Sequence, residues 1–460
     1  MTVSNRLFSE IQTGDSASTR RVCTEHDLFV FAHAAGGLAS PLLPAADSAG
    51  AHASLAASLW AGALVSHLVD TCLPGPGAVF RAQSFTFHDR VQVGDALLIM
   101  VRVLEKREPD LLVMETLVTK EGGAPVAEGV AEVHAPEERI TLEAVAAPEV
   151  TVQRHLHSER LLAMAAGHAP LPTAVVCPHD AASLEGALQA ADAGLIRPLL
   201  VGDRDAILRA AQALGRDPSG LEILPADSDD AAAAQAVALV HAHRVRAVMK
   251  GALHSDVLLA QVIKREGGLR GPRRASHVFL MDIPGLDHPL LVSDAAINIA
   301  PDLACKVDIT QNAIDLARAC GIETPRVGVL SAVETVNPMI PSTLDAAVLS
   351  KMAERGQIRG GIVDGPLAMD NAIDLQAART KGIRSLVAGR ANVLIVPNIE
   401  SGNMLVKELT FIAHADAAGL VMGTSAPVIL TSRADGPRAR LLSCALAVLH
   451  DHWRRHGDPS

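Results

Sequence analysis

Tyrosine is absent from this chain, and its few tryptophans and phenylalanines bring the aromatic content to only 2%. Surfaces that stack nucleobases need aromatic faces, so a single-strand nucleic-acid platform is excluded. Positive charge is scarce as well: 40 Lys and Arg against 51 Asp and Glu leave a net charge of −11. No basic stripe is available for a phosphate backbone, although a small anionic substrate needs only a few local arginines. The six cysteines (Cys23, Cys72, Cys177, Cys305, Cys320, Cys444) are scattered without a C-x-x-C pair. They read as reduced thiols of a cytoplasmic protein rather than as a metal or disulfide framework. There is no G-x-G-x-x-G and no Walker loop, which removes the usual fingerprints of dinucleotide and NTP chemistry. The longest apolar run, Leu55 to Val69, is too short for a bilayer and carries Ser58, Ser66 and His67. The N-terminus, MTVSNRLFSE, lacks a basic-then-apolar signal. A cytoplasmic protein is expected, with no membrane or nucleic-acid partner and no bound cofactor or metal.

What is present divides into two regimes. A chain of 460 residues suggests about two or three domains, each with its own core. The Ala-, Pro- and Glu-rich stretch APEERITLEAVAAPEVTVQ separates them, as a linker or a strand and a linker. The expected division is 1–135, a linker at 136–153, and 154–460.

Before the linker, a helix is expected over Ser54–Val69, followed by the turn cluster Leu73-Pro74-Gly75-Pro76-Gly77. Strand-like runs follow at Ala78–Phe87, Asp95–Glu105, Leu111–Lys120 and Pro125–His134. Leu97, Ile99, Val101 and Val103 alternate onto one face, and Glu121-Gly122-Gly123 is a hairpin signal. This is the pattern of an α+β domain in which a sheet curls around a helix. The run LPGPGAVFRAQSFTFHDRVQVGD at 73–95 resembles the MaoC-type hotdog domains that hydrate enoyl-CoA thioesters, over roughly residues 20–135. That family's catalytic segment follows a Ser-Gly-Asp-x-Asn-Pro-x-His pattern. Anchored on Pro41, the Asp position here is Leu38 and the His position is Leu43. Hydration needs a base for water and an acid for the α-carbon, and two leucines supply neither. His33 and Asp47 lie nearby without a spacing that marks them as substitutes. The expectation is a hydratase-dead domain kept for oligomerisation or acyl-CoA contact.

After the linker, short apolar runs alternate with Ala-rich helical stretches. The runs are Thr173–Cys177, Pro198–Val201, Ala247–Lys250, Arg326–Ser331, Ile362–Asp364, Asn392–Pro397 and Val428–Thr431. Such alternation predicts an α/β domain with a mostly parallel sheet and helices on both faces. Ligands of these sheets bind where strands hand over to helix N-termini. Ser432, Arg433 and Asp435 stand at one such exit, a hydroxyl, a phosphate fork and a carboxylate ahead of Pro437, which suits the first turn of a helix reaching Trp453. Further polar residues follow other runs: Lys250 and His254, Asp294 and Asn298, and Asn403. Helix capping by Ser432 or Asp435, and turn capping by Asp294, are the structural alternatives.

The ordered segments MKGALHS, SHVFLMD, DAAINIAPD, LSAVETVNP, DGPLAMDNAI, PNIESGNM and LTSRAD together resemble the phosphate acetyltransferase and phosphate butyryltransferase family, over roughly residues 155–455. With the hotdog-like half in front, the chain resembles bifunctional enoyl-CoA hydratase/phosphate acetyltransferases. The resemblance implies two α/β subdomains flanking a cleft, a homo-oligomer, and acyl-CoA, phosphate and acyl phosphate as partners, with coenzyme A a substrate. It gives Ser432 contact with the thiol or the oxyanion and Arg433 the phosphate. An aspartate seven residues after that serine serves the acetyltransferase branch, but Ala439 stands there. Asp435, three residues after Ser432 as in butyryltransferase-like sequences, is the substitute candidate for the base. Lys250 and His254 are candidates to bind phosphate or polarise the carbonyl. Arg273 or Arg274 is a candidate second anion contact, with a solvated basic loop the alternative; Asn298 and Asn403 are candidate oxyanion or pantetheine donors, and Asp294 a candidate to orient a cation or cap a turn. A bifunctional enzyme and a non-catalytic acyl-CoA sensor are the competing readings.

Overall fold

A computed structural model of the chain describes residues 2–36, 58–143, 150, 154–217, 220–431 and 435–457. It divides into two units, Met1–Val152 and Gln153–Ser460.

The first unit runs through β1 (Thr2–Ser4), β2 (Ser16–Val22), α1 (Glu25–Ala34), α2 (Ser58–Thr71), β3 (Val79–Gln83), β4 (Thr86–Phe87), β5 (Ala96–Arg107), β6 (Leu111–Lys120), β7 (Pro125–His134) and β8 (Thr141–Glu143). An antiparallel sheet has the order β2-β5-β6-β7-β3, with β4 also on β7. Leu97, Ile99, Val101 and Val103 are buried on β5 while Leu98 is 49% exposed. Trp60, Val65, Leu68 and Val69 of α2 share their core, because a sheet face and a helix stripe must each hide apolar surface. Gly122 and Gly123 turn the β6–β7 hairpin at φ 111° and 90°, backbone that side chains rarely adopt.

The sequence reading contains no counterpart of β2 or α1. β2 is SASTRRV, a polar strand exposed along most of its length, so it carries no apolar alternation to read. α1 does have a signature, a capping box in which Thr24 and Asp27 bond each other's backbone N–H. Within the expected linker, Thr141–Glu143 pairs antiparallel with Thr2–Ser4. Leu38, Leu43 and Asp47 lie outside the described residues.

The second unit begins with α3 (Leu156–Ala166), β9 (Leu171–Val176), α4 (Ala181–Asp192), β10 (Ile196–Gly202), α5 (Arg204–Ala213), β11 (Ile223–Pro225), α6 (Asp229–His241), β12 (Ala247–Lys250) and α7 (Ser255–Val262). It continues through β13 (Ser276–Asp282), β14 (Leu290–Ser293), α8 (Leu303–Ala319), β15 (Arg326–Leu330), α9 (Pro341–Glu354), β16 (Ile362–Leu367), α10 (Met369–Ile373), α11 (Leu375–Thr380) and β17 (Val393–Ile395). α12 (Ile399–Phe411), β18 (Asp416–Met422), β19 (Val428–Ile429) and α13 (Pro437–His456) complete it. Among the described residues the strands form one eleven-stranded sheet, ordered β11-β10-β9-β12-β19-β18-β13-β14-β17-β15-β16.

Neighbours are parallel on both flanks. In the middle, β19–β18, β18–β13 and β13–β14 are antiparallel, so the two parallel runs point in opposite directions. The expected mostly parallel sheet is present, with a reversal at its centre. Among the described residues no helix is long and apolar enough to cross a membrane.

α13 starts with Pro437 in its first turn, where the missing N–H costs nothing, and is buried from Leu442 to Asp451. His450 is 6% exposed. Burial, with the charges of Arg454 and Arg273, pulls its pKa down from 6.5 to about 3. The unfolded chain therefore binds a proton near pH 6.5 that the folded chain refuses until about pH 3. Stability from this group is complete above pH 6.5 and is lost as the pH falls from there, by up to about 1.4 kcal/mol per unit. Urea unfolding from pH 7 to 5.5 should show that slope, and His450→Leu should flatten it.

Candidate active site at the sheet reversal

The antiparallel centre leaves a hollow over one face of β13 and β18. It is a cavity of about 210 Å³ lined by His277, Phe279 and Ala417 of those strands, with Leu430 and Thr431 beyond β19. Asn403, Val406, Lys407 and Phe411 of α12 contribute to its lining. Ser255 after β12, Ala296 after β14 and Asp435 ahead of α13 also line it. Residues leaving three strands therefore meet there with one helix, as ligand sites of α/β sheets do.

A larger cavity of about 530 Å³ is lined by Arg270, Arg273, Arg274, Ile297, Asn298, Asp308 and Thr424, among others. The loop after β14 serves both: Ala296 lines the smaller cavity, Ile297 and Asn298 the larger. Asp294 shapes this loop. It is 2% exposed, and its carboxylate accepts from the backbone N–H groups of Ala296, Ile297 and Asn298 at 3.0–3.1 Å.

Several sequence expectations need correction on this geometry. Asp294 takes the turn-capping alternative, its oxygens accepting from the turn it shapes. The Asn298 amide nitrogen donates to Asp294 Oδ2 at 2.5 Å and to Ala275 O at 2.9 Å, which uses both N–H bonds in this structure. Lys250 does not line the cavity. It is 2% exposed and donates to Thr431 O at 3.3 Å and Gly251 O at 3.5 Å, so its charge supports the chain just before Ser432. His254 is exposed and absent from both linings, where its neighbour Ser255 stands instead. Arg274 lines the larger cavity but is paired with Asp302 at 2.9 Å.

Two expected strand exits contribute nothing to either lining. Glu334 after β15 and Asp370 after β16 both pair with Lys381 at 3.1 Å. Asn403 and Asp435 do line the smaller cavity. Ser432 and Arg433 lie outside the described residues.

Sequence reasoning missed His277, Ser255 and Arg440. His277 had a signal, a ring with two polar nitrogens at the head of the apolar run SHVFLMD, where a buried polar group needs partners. Arg440 had none, because an arginine in the first turn of a helix normally reads as a solvated surface group. Here it is 3% exposed and donates to Thr431 Oγ1 at 2.9 Å. Burial pushes the thiols of Cys320 and Cys444 up to about 12 and that of Cys23 to about 11, which disfavours nucleophilic thiolates at these positions. Among the described residues, Cys177, His179 and Asp229 form one cluster of metal-ligand types. His179 Nε2 accepts from Asp203 N–H at 3.0 Å, which leaves the proton of the neutral ring on Nδ1 and neither nitrogen open to a metal.

The family model for phosphate acetyl/butaryl transferase matches residues 229–448. A phosphate acetyltransferase of Rhizobium meliloti is 55% identical over 297 residues, covering 65% of this chain and 94% of that relative. The chain belongs to the phosphate acetyl/butyryl transferase family. A solved branched-chain phosphotransacylase from Enterococcus faecalis is 28% identical, with a TM-score of 0.55, and covers 61% of this transferase and 99% of that chain. A solved R-hydratase from Pseudomonas aeruginosa is 33% identical, covering 33% of this chain and 99% of that one, with a TM-score of 0.32. Both cavities of the transferase lie within the residues the family model matches, since their lining residues span Ser255 to Asp435.

Proposed function

We infer that the chain is a phosphate acyltransferase interconverting acyl-CoA plus phosphate and acyl phosphate plus CoA, and that the reaction takes place in the cavity over β13 and β18. The observation that carries this reading is the convergence of Ser255, Ala296, Asn403 and Asp435 on one cavity in a chain that over 297 residues is 55% identical to a phosphate acetyltransferase. The two oppositely directed parallel runs would act as the two subdomains flanking it.

In the direction of thioester formation, a thiol attacks the carbonyl of an acyl phosphate. The site must remove the thiol proton, hold the developing oxyanion and bind phosphate with cations. By the family resemblance Arg433 takes the phosphate and Ser432 the oxyanion or thiol, while Asn403 adds an amide to the cavity over β13 and β18. Asp435 adds a carboxylate to that lining. The arginines of the larger cavity suit the phosphates of coenzyme A, whose thiol arm passes the loop of residues 294–298. No covalent enzyme intermediate is needed. A homo-oligomer is the assembly we propose.

Phosphate-dependent release of CoA from acetyl-CoA and butyryl-CoA tests the reading. Release that saturates with phosphate is expected; binding of both thioesters without release would favour the acyl-CoA sensor. For the first unit, Leu38 and Leu43 at the expected acid and base positions predict no hydration. Crotonyl-CoA absorbance at the enoyl band should stay constant on adding the chain, and a steady fall would establish the bifunctional enzyme.

A further inference from the structure

His277 is a polar side chain, 1% exposed, in the lining of the smaller cavity. Its Nε2 lies 3.2 Å from Leu430 O, and a carbonyl can only accept, so Nε2 carries the hydrogen. In the neutral ring Nδ1 then holds a lone pair. That nitrogen is buried and has no hydrogen-bond partner among the described residues, a state native proteins rarely leave unexplained.

The ring's placement is built into the fold. It crosses Gly419, where an added Cβ would stand 2.5 Å from Cε1 and 2.9 Å from Nε2. Only a glycine on β18 lets it reach Leu430, the residue two ahead of Ser432. The ring also packs against Phe279, with centroids 4.3 Å apart.

The geometry points to Nδ1 of His277 as the acceptor of the thiol proton in this transfer, with Asp435 stabilising the imidazolium that forms. The inference rests on the acyl-transfer reading above. In the forward step the S–H proton moves to Nδ1 and the sulfur electron pair forms the S–C bond. The C–O bond to phosphate breaks with its electron pair going to the phosphate oxygen, which then takes the proton from Nδ1. The reverse reaction returns the same proton to the thiolate. Burial lowers the proton affinity of His277, and the carboxylates of Asp294 and Asp435 oppose that effect. Lys407 on α12 lines the same cavity. An imidazole neutral at pH 7 is a base ready for use.

The test compares wild type, His277→Gln and Asp435→Asn in the full chain, following CoA and acetyl or butyryl phosphate from pH 5 to 9. Glutamine can keep the bond to Leu430 O but is no base. His277→Gln should lower kcat by about 10²–10⁴-fold, leave the KM for acyl phosphate within about twofold, and abolish the acid limb of kcat/KM. Asp435→Asn should retain that limb at lower pH. If His277→Gln folds poorly, added imidazole should restore rate to His277→Gly, which a purely structural role would not allow. An intact acid limb in His277→Gln together with its loss in Asp435→Asn would overturn the proposal and make Asp435 the base. Absence of exchange in the wild type would overturn both this inference and the function it rests on.

Discussion

Arg440→Ala is expected to lower stability by about 3 kcal/mol and kcat by at least about tenfold. The guanidinium is 3% exposed and bonded to Thr431 Oγ1 at 2.9 Å. Burial works against its charge, while the carboxylates of Asp435 and Asp180 work for it. Its aliphatic stem lies over Gly186, where any Cβ would overlap it. Alanine would remove a charge-assisted bond, open a void and leave two carboxylates without this cation. Because Thr431 directly precedes Ser432, the proposed oxyanion or thiol contact, the activity should fall as well. Arg440→Lys keeps the charge but not the planar fork, so it should recover less than half of the loss. Urea unfolding and CoA release measure the two effects. A change under about 0.5 kcal/mol, the range of ordinary surface substitutions, would mean that the buried cation is not structurally coupled to the loop.

Gly251→Ala should be at least as damaging, costing about 3 kcal/mol or more. A Cβ there would meet Val176 O and stand 2.6 Å from Cys177 O and 2.7 Å from Cys177 C. These are backbone atoms at the exit of β9, and they cannot rotate away. The same backbone is held by Gly251 N–H to Val176 O at 2.8 Å and Ala252 N–H to Cys177 O at 2.7 Å. Relief would require β12 to separate from β9, which would carry Lys250 away from Thr431. Soluble yield, the urea midpoint and kcat should fall together. A folded variant with unchanged activity would contradict this account of the strand exit.

How far the sequence could be read follows from what each residue's neighbours are. β5, β6 and β7 were legible because one face is buried and the other wet, and α13 because Pro437 opens a long run that must bury its middle. β2 was not, since an exposed edge such as SASTRRV leaves no apolar period. The central reversal was hidden for a different reason. The runs that become β13, β14 and β18 are continuously apolar, and strands buried on both faces look alike whichever way they pair. The short connection from Asp282 to Leu290 is the one hint, because parallel neighbours need a longer crossover. At the site, the polar residues of the loop after β14 were visible, but not that Asp294 and Asn298 satisfy each other. Asn403 and Asp435 reached the cavity, whereas Glu334 and Asp370 were drawn off to Lys381. Polar residues at successive exits mark a candidate site, and only packing decides which of them share it.

The most direct measurement is a crystal structure of the full chain with coenzyme A and phosphate. The account predicts the thiol of the bound coenzyme within hydrogen-bond reach of His277 or Asp435, in the cavity lined by Asn403 and Phe411, with phosphate beside Arg433. A thiol end seated in the arginine-lined cavity, or anywhere else with the hollow over β13 and β18 empty, would contradict it.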